Sequence, residues 1–269
     1  MYKYYINGTW VKSSKAKISF NDRGFLYGDG LFETLRFDNK KIFSYKKHLQ
    51  RLYKSLKVID LNIGKTSAQL FNLLKEVISN NNLNSGILRL MVTRGETNSD
   101  NPSIFISIKP FYKIPQKPVK VVYLDEKKFP IIRFNPAIKS MNYLGNMLAK
   151  KATEKLNAFE PIFFNGDNLI TECAIRNIFY IRGEELFTPS INLGILPGVM
   201  RDTIINIAKD LNIIVHETNI LYSEVNKMDE AFISSTGIGL LECYWNTWES
   251  NYLITKEIKK ELFNRINKY

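Results

Sequence analysis

Hydrophobic positions along this chain recur at two spacings, and each change of spacing marks a new element. Near the start, KYYING (3–8) and TWVKSSKAKISF (9–20) show partial two-residue alternation and predict strands. After a glycine-rich loop at 24–30, LFETLRFDNKKIFSY (31–45) predicts a hairpin with Asp38-Asn39 at its turn. The period then lengthens. Residues 46–60 carry Leu49, Leu52, Leu56 and Ile59 at helical spacing. Residues 66–80 open on Thr66 as a cap and set Leu70, Leu73, Leu74 and Ile78 on one helical face. Two further strands follow, GILRLMVTRG (86–95) and SIFISIKPF (103–111).

The segment YKIPQKP (112–118) holds two prolines and little apolar character, which predicts a linker over 113–118. It divides an N-terminal domain, 1–112, from a strand-rich C-terminal domain, 119–269. In the second domain KVVYLDEKKF (120–129) begins as a strand, and NMLAKKATEKLN (146–157) predicts a helix exposing Lys150, Lys151 and Lys155. Residues 160–188 read as short strands separated by NGDN and RGEE turns. GVMRDTIINIAKDLN (198–212) reads as a helix introduced by Pro197-Gly198, and DEAFISS (229–235) as a strand ending at Thr236-Gly237. There is no internal repeat or low-complexity tract. The fold class expected is α/β (α+β) in two domains.

Composition narrows the class. A chain of 269 residues, 45% hydrophobic and 24% charged, suits a globular protein with a sizeable core. No stretch approaches the ~18 apolar residues of a membrane helix, and MYKYYINGTW lacks the apolar region of a signal peptide. Cys173 and Cys243 show neither metal nor redox spacing, so no metal is expected and a reduced, cytoplasmic setting is. The net charge of +12 admits a polyanion partner. Its lysines are scattered among Asn and Ile rather than gathered into a tract, and no nucleic-acid motif accompanies them. A solvated basic surface is therefore the expectation, with neither nucleic acid nor membrane as partner.

Several residues stand out chemically. From 134 to 149 the only charged residue is Lys139. Glu172 lies between apolar NLIT and CAIRNIFY, where a carboxylate needs a cationic partner; an ion pair to Arg176 or Arg201 is one way to supply it. The turn Leu196-Pro197-Gly198 leads into a helix whose first N–H groups, those of Val199 and Met200, have no intrahelical acceptor and suit an anion. Arg51 lies on a helix face with i+4 partners available. Thr236 follows a strand, as a simple turn threonine or as a hydroxyl donor.

An ordered set of segments draws these residues together: DRGFLYGDGLFETLR (22–36), HLQRL (48–52), IKSMNYLGNMLAK (138–150), LITECAIRNIFY (169–180), GILPGVMRD (194–202) and FISSTG (232–237). The set resembles the fold-type IV, or class IV aminotransferase, family of pyridoxal-phosphate enzymes. The resemblance implies a small N-terminal domain, a larger cofactor-binding C-terminal domain and a homodimer. It implies that Lys139 forms the imine with the pyridoxal 5'-phosphate aldehyde and serves as the catalytic base and acid. Tyr143 then lies by the cofactor's phenolic oxygen, Glu172 pairs with the pyridine nitrogen, and Arg51, Val199, Met200 and Thr236 hold the phosphate. Many relatives have threonine where this chain has Met200, so only the main-chain contact carries over there.

On the substrate side the resemblance assigns Tyr27, Phe32, Glu33 and Arg89 to the pocket, and Gly237 and Ile238 to the substrate carboxylate. Substrates are then amino acids and 2-oxo acids. D-amino-acid relatives carry an Arg and a His soon after the strand matching 86–95; RGETNSDNPS (94–103) has Arg94 and no histidine, which speaks for L-amino acids. Arg89 and Tyr143 look like branched-chain aminotransferases. The short loop at 95–102 and the TEC triplet look like the aminodeoxychorismate lyases, the alternative activity. A cofactor-free polyanion-binding protein is a third reading from another class.

Overall fold

The computed structural model describes residues 1–267, with Asn267 by its backbone alone. The chain divides into two compact units. The first comprises residues 1–112 and 138–142; the second comprises 113–137 and the described chain from 143 onward. The segment 138–142, which sequence order places in the later half, thus belongs to the first unit. Two sheets, one in each unit, give the mixed α/β architecture expected.

In the first unit the elements run β1 (Lys3–Ile6), β2 (Thr9–Lys12), α1 (Arg23–Tyr27), β3 (Gly30–Asp38), β4 (Lys41–Ile42), α2 (Tyr45–Val58), α3 (Ser67–Ser79), β5 (Gly86–Thr93) and β6 (Ser103–Lys109). They form an antiparallel sheet of order β2-β1-β6-β5-β3-β4, with α2 against β3 and α3 against β6. The helical spacing produced what it predicted: Leu49, Leu52 and Leu56 of α2 and Leu70, Leu74 and Ile78 of α3 are buried. Val77 joins the α3 face, while Leu73 and Ile59 are only half-buried. Thr66 caps α3 in a reciprocal capping box with Gln69.

Two local expectations are corrected. The hairpin turn is Asn39-Lys40, not Asp38-Asn39; both residues have left-handed φ, 47° and 62°, which the twist of a tight hairpin demands. The second strand stops at Lys12 and gives way to a short 3-10 turn at Ser13–Lys15, so 16–20 continue no ladder.

The edge of β3 is shared. At its C-terminal end β4 pairs with Phe37 and Asp38. At its N-terminal end the returning segment bonds instead: Phe32 N–H donates to the Lys139 carbonyl at 3.0 Å, and Met141 N–H donates to the Gly30 carbonyl at 3.0 Å. Asn142 adds a side-chain bond to the Gly28 carbonyl at 3.2 Å. Gly30 is what lets the chain pass this closely. A Cβ there would lie 2.6 Å from the Val92 carbonyl oxygen and 2.9 Å from the Met141 sulfur.

The second unit runs β7 (Val119–Asp125), α4 (Leu144–Lys155), β8 (Glu160–Phe164), β9 (Ile170–Cys173), β10 (Asn177–Arg182), β11 (Glu185–Pro189), α5 (Val199–Asp210), β12 (Val215–Thr218), β13 (Glu230–Ser235), β14 (Gly239–Tyr244) and α6 (Leu253–Asn267). Its mixed sheet has the order β12-β11-β10-β13-β14-β7-β8-β9 around a core that includes Val121, Ile162, Ile178, Tyr180, Ile233 and Leu241. Lys150 is not exposed as its helix face suggested. Its ammonium bonds Glu160 at 3.1 Å and the Phe159 carbonyl at 2.5 Å. The strands β12 and β14 and helix α6 lay outside the elements read from sequence, although Ile254, Ile258, Leu262 and Ile266 recur every four residues along α6.

The close approach at Gly30 is testable. Gly30→Ala should lower stability by about 1–3 kcal/mol, the scale of overpacking against backbone, and speed amide exchange at Phe32 and Met141. Thermal unfolding and exchange rates read both; unchanged exchange at those two amides contradicts the account.

Candidate active-site residues

Strand alternation in the first unit sends neighbouring side chains of β3 to opposite faces. Phe32 and Thr34 share the face of Arg89, which lies opposite Thr34 in the ladder. The Phe32 ring receives two cations: the Arg89 guanidinium carbon lies 4.0 Å from its centroid and Lys139 Nζ lies 4.5 Å from it. Cation–π attraction helps hold both side chains against that ring. The backbone bonds at Lys139 and Met141 fix the root of the lysine, while the Phe32 ring lies against its tip.

Glu33 faces the other way, toward α2. Its carboxylate accepts Arg51 Nε at 2.8 Å and Nη2 at 2.7 Å, and His48 Nδ1 at 2.7 Å. His48 and Glu33 are buried, and Arg51 is nearly so. Burial alone would raise the Glu33 pKa. The Arg51 charge and the hydrogen bonds from His48 and Arg51 outweigh it and hold the carboxyl at about 2. Burial lowers the His48 pKa; Glu33 opposes that effect, and the charges of Arg51 and Lys139 add to it. A neutral His48 therefore donates its Nδ1–H to the carboxylate.

These observations give two residues singled out from sequence their partners within the first unit. Both oxygens of Glu33, expected on the substrate side, are turned to His48 and Arg51. Arg51 gives its Nε and Nη2 to that carboxylate, which fixes the plane of the guanidinium. His48 escaped assignment, though its i, i+3 spacing from Arg51 put both on one helical face. Tyr27 lies at the end of α1 and is 65% exposed. Arg94 is committed to Asp29 at 2.8 Å and to the carbonyls of Ile59 and Asp60 at 2.8 and 3.1 Å.

In the second unit Glu172 stands within β9. Its Oε1 takes a hydrogen bond from Arg133 Nη1, and its Oε2 accepts Leu196 N–H at 3.3 Å. Neither arginine considered from sequence is the partner. Arg176 pairs with Glu160, and Arg201 pairs with Glu217 at 2.8 Å. Arg133 reaches Glu126 as well, with its Nε at 3.0 Å. Thr171 donates to the same Glu126 oxygen at 2.7 Å. No periodicity marks Arg133 or Glu126; the only signal was that a buried carboxylate requires a cation.

The start of α5 presents an anion site by its backbone. Gly198 is the N-cap and provides no side-chain cap, and Val199 and Met200 are the first helical residues, both buried. Glycine is required there because a Cβ would fall 2.1 Å from Asn177 Oδ1. Thr236, Gly237 and Ile238 form the turn between β13 and β14, with Thr236 and Ile238 buried. Tyr143 is the N-cap of α4 and is half-buried. The first unit thus offers an amine and an arginine, and the second a carboxylate, a buried hydroxyl and an open helix N-terminus; each is a group whose chemistry suits some part of pyridoxal phosphate. Among the described residues no cluster suits a metal ion, and no helix is long and apolar enough to cross a membrane.

Known proteins bear on this set. The family model described as "Amino-transferase class IV" matches residues 30–243. A putative branched-chain-amino-acid aminotransferase of Methanocaldococcus jannaschii is 32% identical over 250 residues, covering 90% of this chain and 87% of that protein. A D-alanine aminotransferase of Listeria monocytogenes is 35% identical over 249 residues, covering 88% and 84%. The fold matches a solved putative 4-amino-4-deoxychorismate lyase of Legionella pneumophila with TM-score 0.85 at 24% identity, covering 94% of this chain and 97% of that one.

The Glu33 pair carries a pH signature. A carboxyl whose folded pKa is depressed adds stability above its unfolded pKa of 4.5, and that stability is lost as pH falls toward about 2. Glu33→Gln should therefore cost roughly 3 kcal/mol near neutrality, with the deficit narrowing as pH falls from 5 to 3. Urea unfolding of both proteins across that range measures it; a deficit independent of pH contradicts the ion-pair account.

Proposed function

Because the chain belongs to the class IV aminotransferase family, whose members are pyridoxal-phosphate enzymes, we propose that it moves an amino group between an L-amino acid with a branched-chain-like side chain and a 2-oxo acid. The observation that carries this reading is the placement of Lys139: its backbone is pinned to the edge of β3 and its amine lies on the Phe32 ring. Such a lysine is rigidly presented, as a covalent anchor and proton carrier must be.

When bound, the cofactor supplies an electron sink for the pair left at the substrate's α-carbon. Lys139 Nζ takes up the α-proton and returns it, acting as base and then as acid. Glu172 holds a proton at the pyridine nitrogen by charge pairing. The N–H groups of Val199 and Met200, the Thr236 hydroxyl and Arg51 hold the phosphate, with Met200 contributing through its main chain only. Tyr143 donates to the phenolic oxygen. Arg89 and Phe32 line the substrate, Tyr27 contributes from its exposed position, and the N–H groups of Gly237 and Ile238 receive the carboxylate.

The commitment of Arg94 to Asp29 and two backbone carbonyls supports the L-series, since it withholds the arginine that a D-amino-acid carboxylate would need in this loop. Family membership displaces the cofactor-free polyanion binder. Exposed Phe20, Phe25 and Tyr27 support a homodimer, observable as a species of twice the 31.2 kDa chain mass, and two buried, unpaired cysteines support a reduced, cytoplasmic setting.

Incubation with L-leucine and 2-oxoglutarate should yield glutamate and the leucine-derived oxo acid in equal amounts. The kcat/KM for D-alanine should be at least about a hundredfold lower, the scale of a missing polar contact. Faster turnover of D-alanine contradicts the assignment of the L-series. Release of 4-aminobenzoate and pyruvate from aminodeoxychorismate, with no oxo-acid acceptor, contradicts the transaminase reading in favour of the lyase.

A further inference from the structure

The corner that leads into α5 is held from the side. Leu196, Pro197 and Gly198 carry no polar side chain, and Pro197 has no N–H, so the corner can be tied only through its backbone. Asn177 supplies such a tie. It opens β10, opposite Ser234 of β13 in the ladder, and only 6% of it is exposed. Its side-chain amide donates from Nδ2 to the Leu196 carbonyl at 3.1 Å. The N–H of the same Leu196 donates to Glu172 Oε2 at 3.3 Å, so the residue before Pro197 is gripped on both sides of its α-carbon. Asn177 also lies against the corner itself. A Cβ at Gly198 would fall 2.1 Å from its Oδ1 and 3.2 Å from its Cγ, so the glycine is what leaves room for the asparagine.

We propose that Asn177 is a positioning residue for the phosphate end of the cofactor. By holding the Leu196 carbonyl it sets where the first turn of α5 begins, and with it the N–H groups of Val199 and Met200. This rests on the pyridoxal-phosphate reading above. Backbone N–H groups serve an anion best when they are aimed before it arrives, because reorienting them on binding costs part of the interaction. The start of α5 has no side-chain cap of its own, so its aim depends on the turn before it. Asn177 also registers that turn against a second phosphate group. Its ladder partner Ser234 lies two residues before Thr236, so one residue sets the helix start relative to the end of β13. The ring-nitrogen end has separate support, since Glu172 takes a hydrogen bond from Arg133 as well as from Leu196. Loss of the Asn177 bond therefore acts chiefly at the phosphate.

The test compares two probes, pyridoxal 5'-phosphate and pyridoxal, which differ only in the phosphate. Titration of the full chain with each, followed by visible absorbance, gives two Kd values. Asn177→Leu keeps a similar side-chain size and loses the donor. It should raise the Kd for pyridoxal 5'-phosphate about tenfold, the scale of one lost hydrogen bond, and that for pyridoxal by less than about twofold. The ratio of the two affinities therefore moves. Asn177→Ser, too short to reach Leu196, should move the ratio in the same direction, and it carries the test if the leucine variant does not fold. A ratio that stays at the parent's value overturns the inference, whether both affinities fall together, as general loosening predicts, or neither changes. Failure of both variants to fold overturns it too, since Asn177 then serves folding. A parent that binds no pyridoxal 5'-phosphate contradicts the functional reading itself, whereas a parent that binds it while the variants leave the ratio unmoved contradicts the positioning role alone.

Discussion

The structure of the candidate site depends on one backbone constraint, the docking of residues 139–141 along the edge of β3. Two hydrogen bonds of 3.0 Å, at Phe32 and Met141, set the position of Lys139 to within the play of one side chain. Everything else on the first unit follows from the alternation of that strand. Phe32 turns its ring to Lys139 and Arg89, and Glu33, one residue on, turns its carboxylate to His48 and Arg51. Gly30 makes the docking sterically possible, and Gly28, as the left-handed C-cap of α1, ends the front loop where Asn142 can hold its carbonyl.

A second regularity is electrostatic. Each unit holds a largely buried glutamate whose charge is matched by an arginine that also has a further partner or anchor. Glu33 has Arg51 and His48; Glu172 has Arg133, which Glu126 shares. The two clusters differ in balance. Glu33, Arg51 and neutral His48 sum to no net charge, so the first cluster contributes rigidity and a preset guanidinium more than potential. In the second, one arginine, Arg133, is shared by two carboxylates, Glu126 and Glu172. Breaking either by removing one partner leaves a buried charge uncompensated, a costlier event than removing a surface pair.

Much of this was legible in the sequence where local rules dominate. The leucine rows of α2 and α3, the Thr66 capping box and the Pro197-Gly198 entry into α5 follow from period and capping chemistry, which are short-range. Lys139 stood out because charge was absent around it, and the segment set around it named the family. What could not be read were pairings across long stretches of chain. Nothing local links Lys139 to Phe32, Glu33 to His48 or Glu172 to Arg133, because each depends on how strands dock. The buried position of Glu172 announced that a cation was needed, yet Arg176 and Arg201, nearer in sequence or chemistry, were claimed by Glu160 and Glu217. The turn at Asn39-Lys40 slipped by one residue because hairpin twist, not residue preference alone, chooses the left-handed pair.

The central claim is that Lys139 is the covalent anchor of the cofactor. Borohydride reduction of purified protein carrying pyridoxal phosphate, followed by peptide mapping, tests it most directly. The account predicts loss of the visible absorbance band and a single reduced adduct on the peptide containing Lys139. An adduct on a different lysine, or no adduct at all, contradicts it.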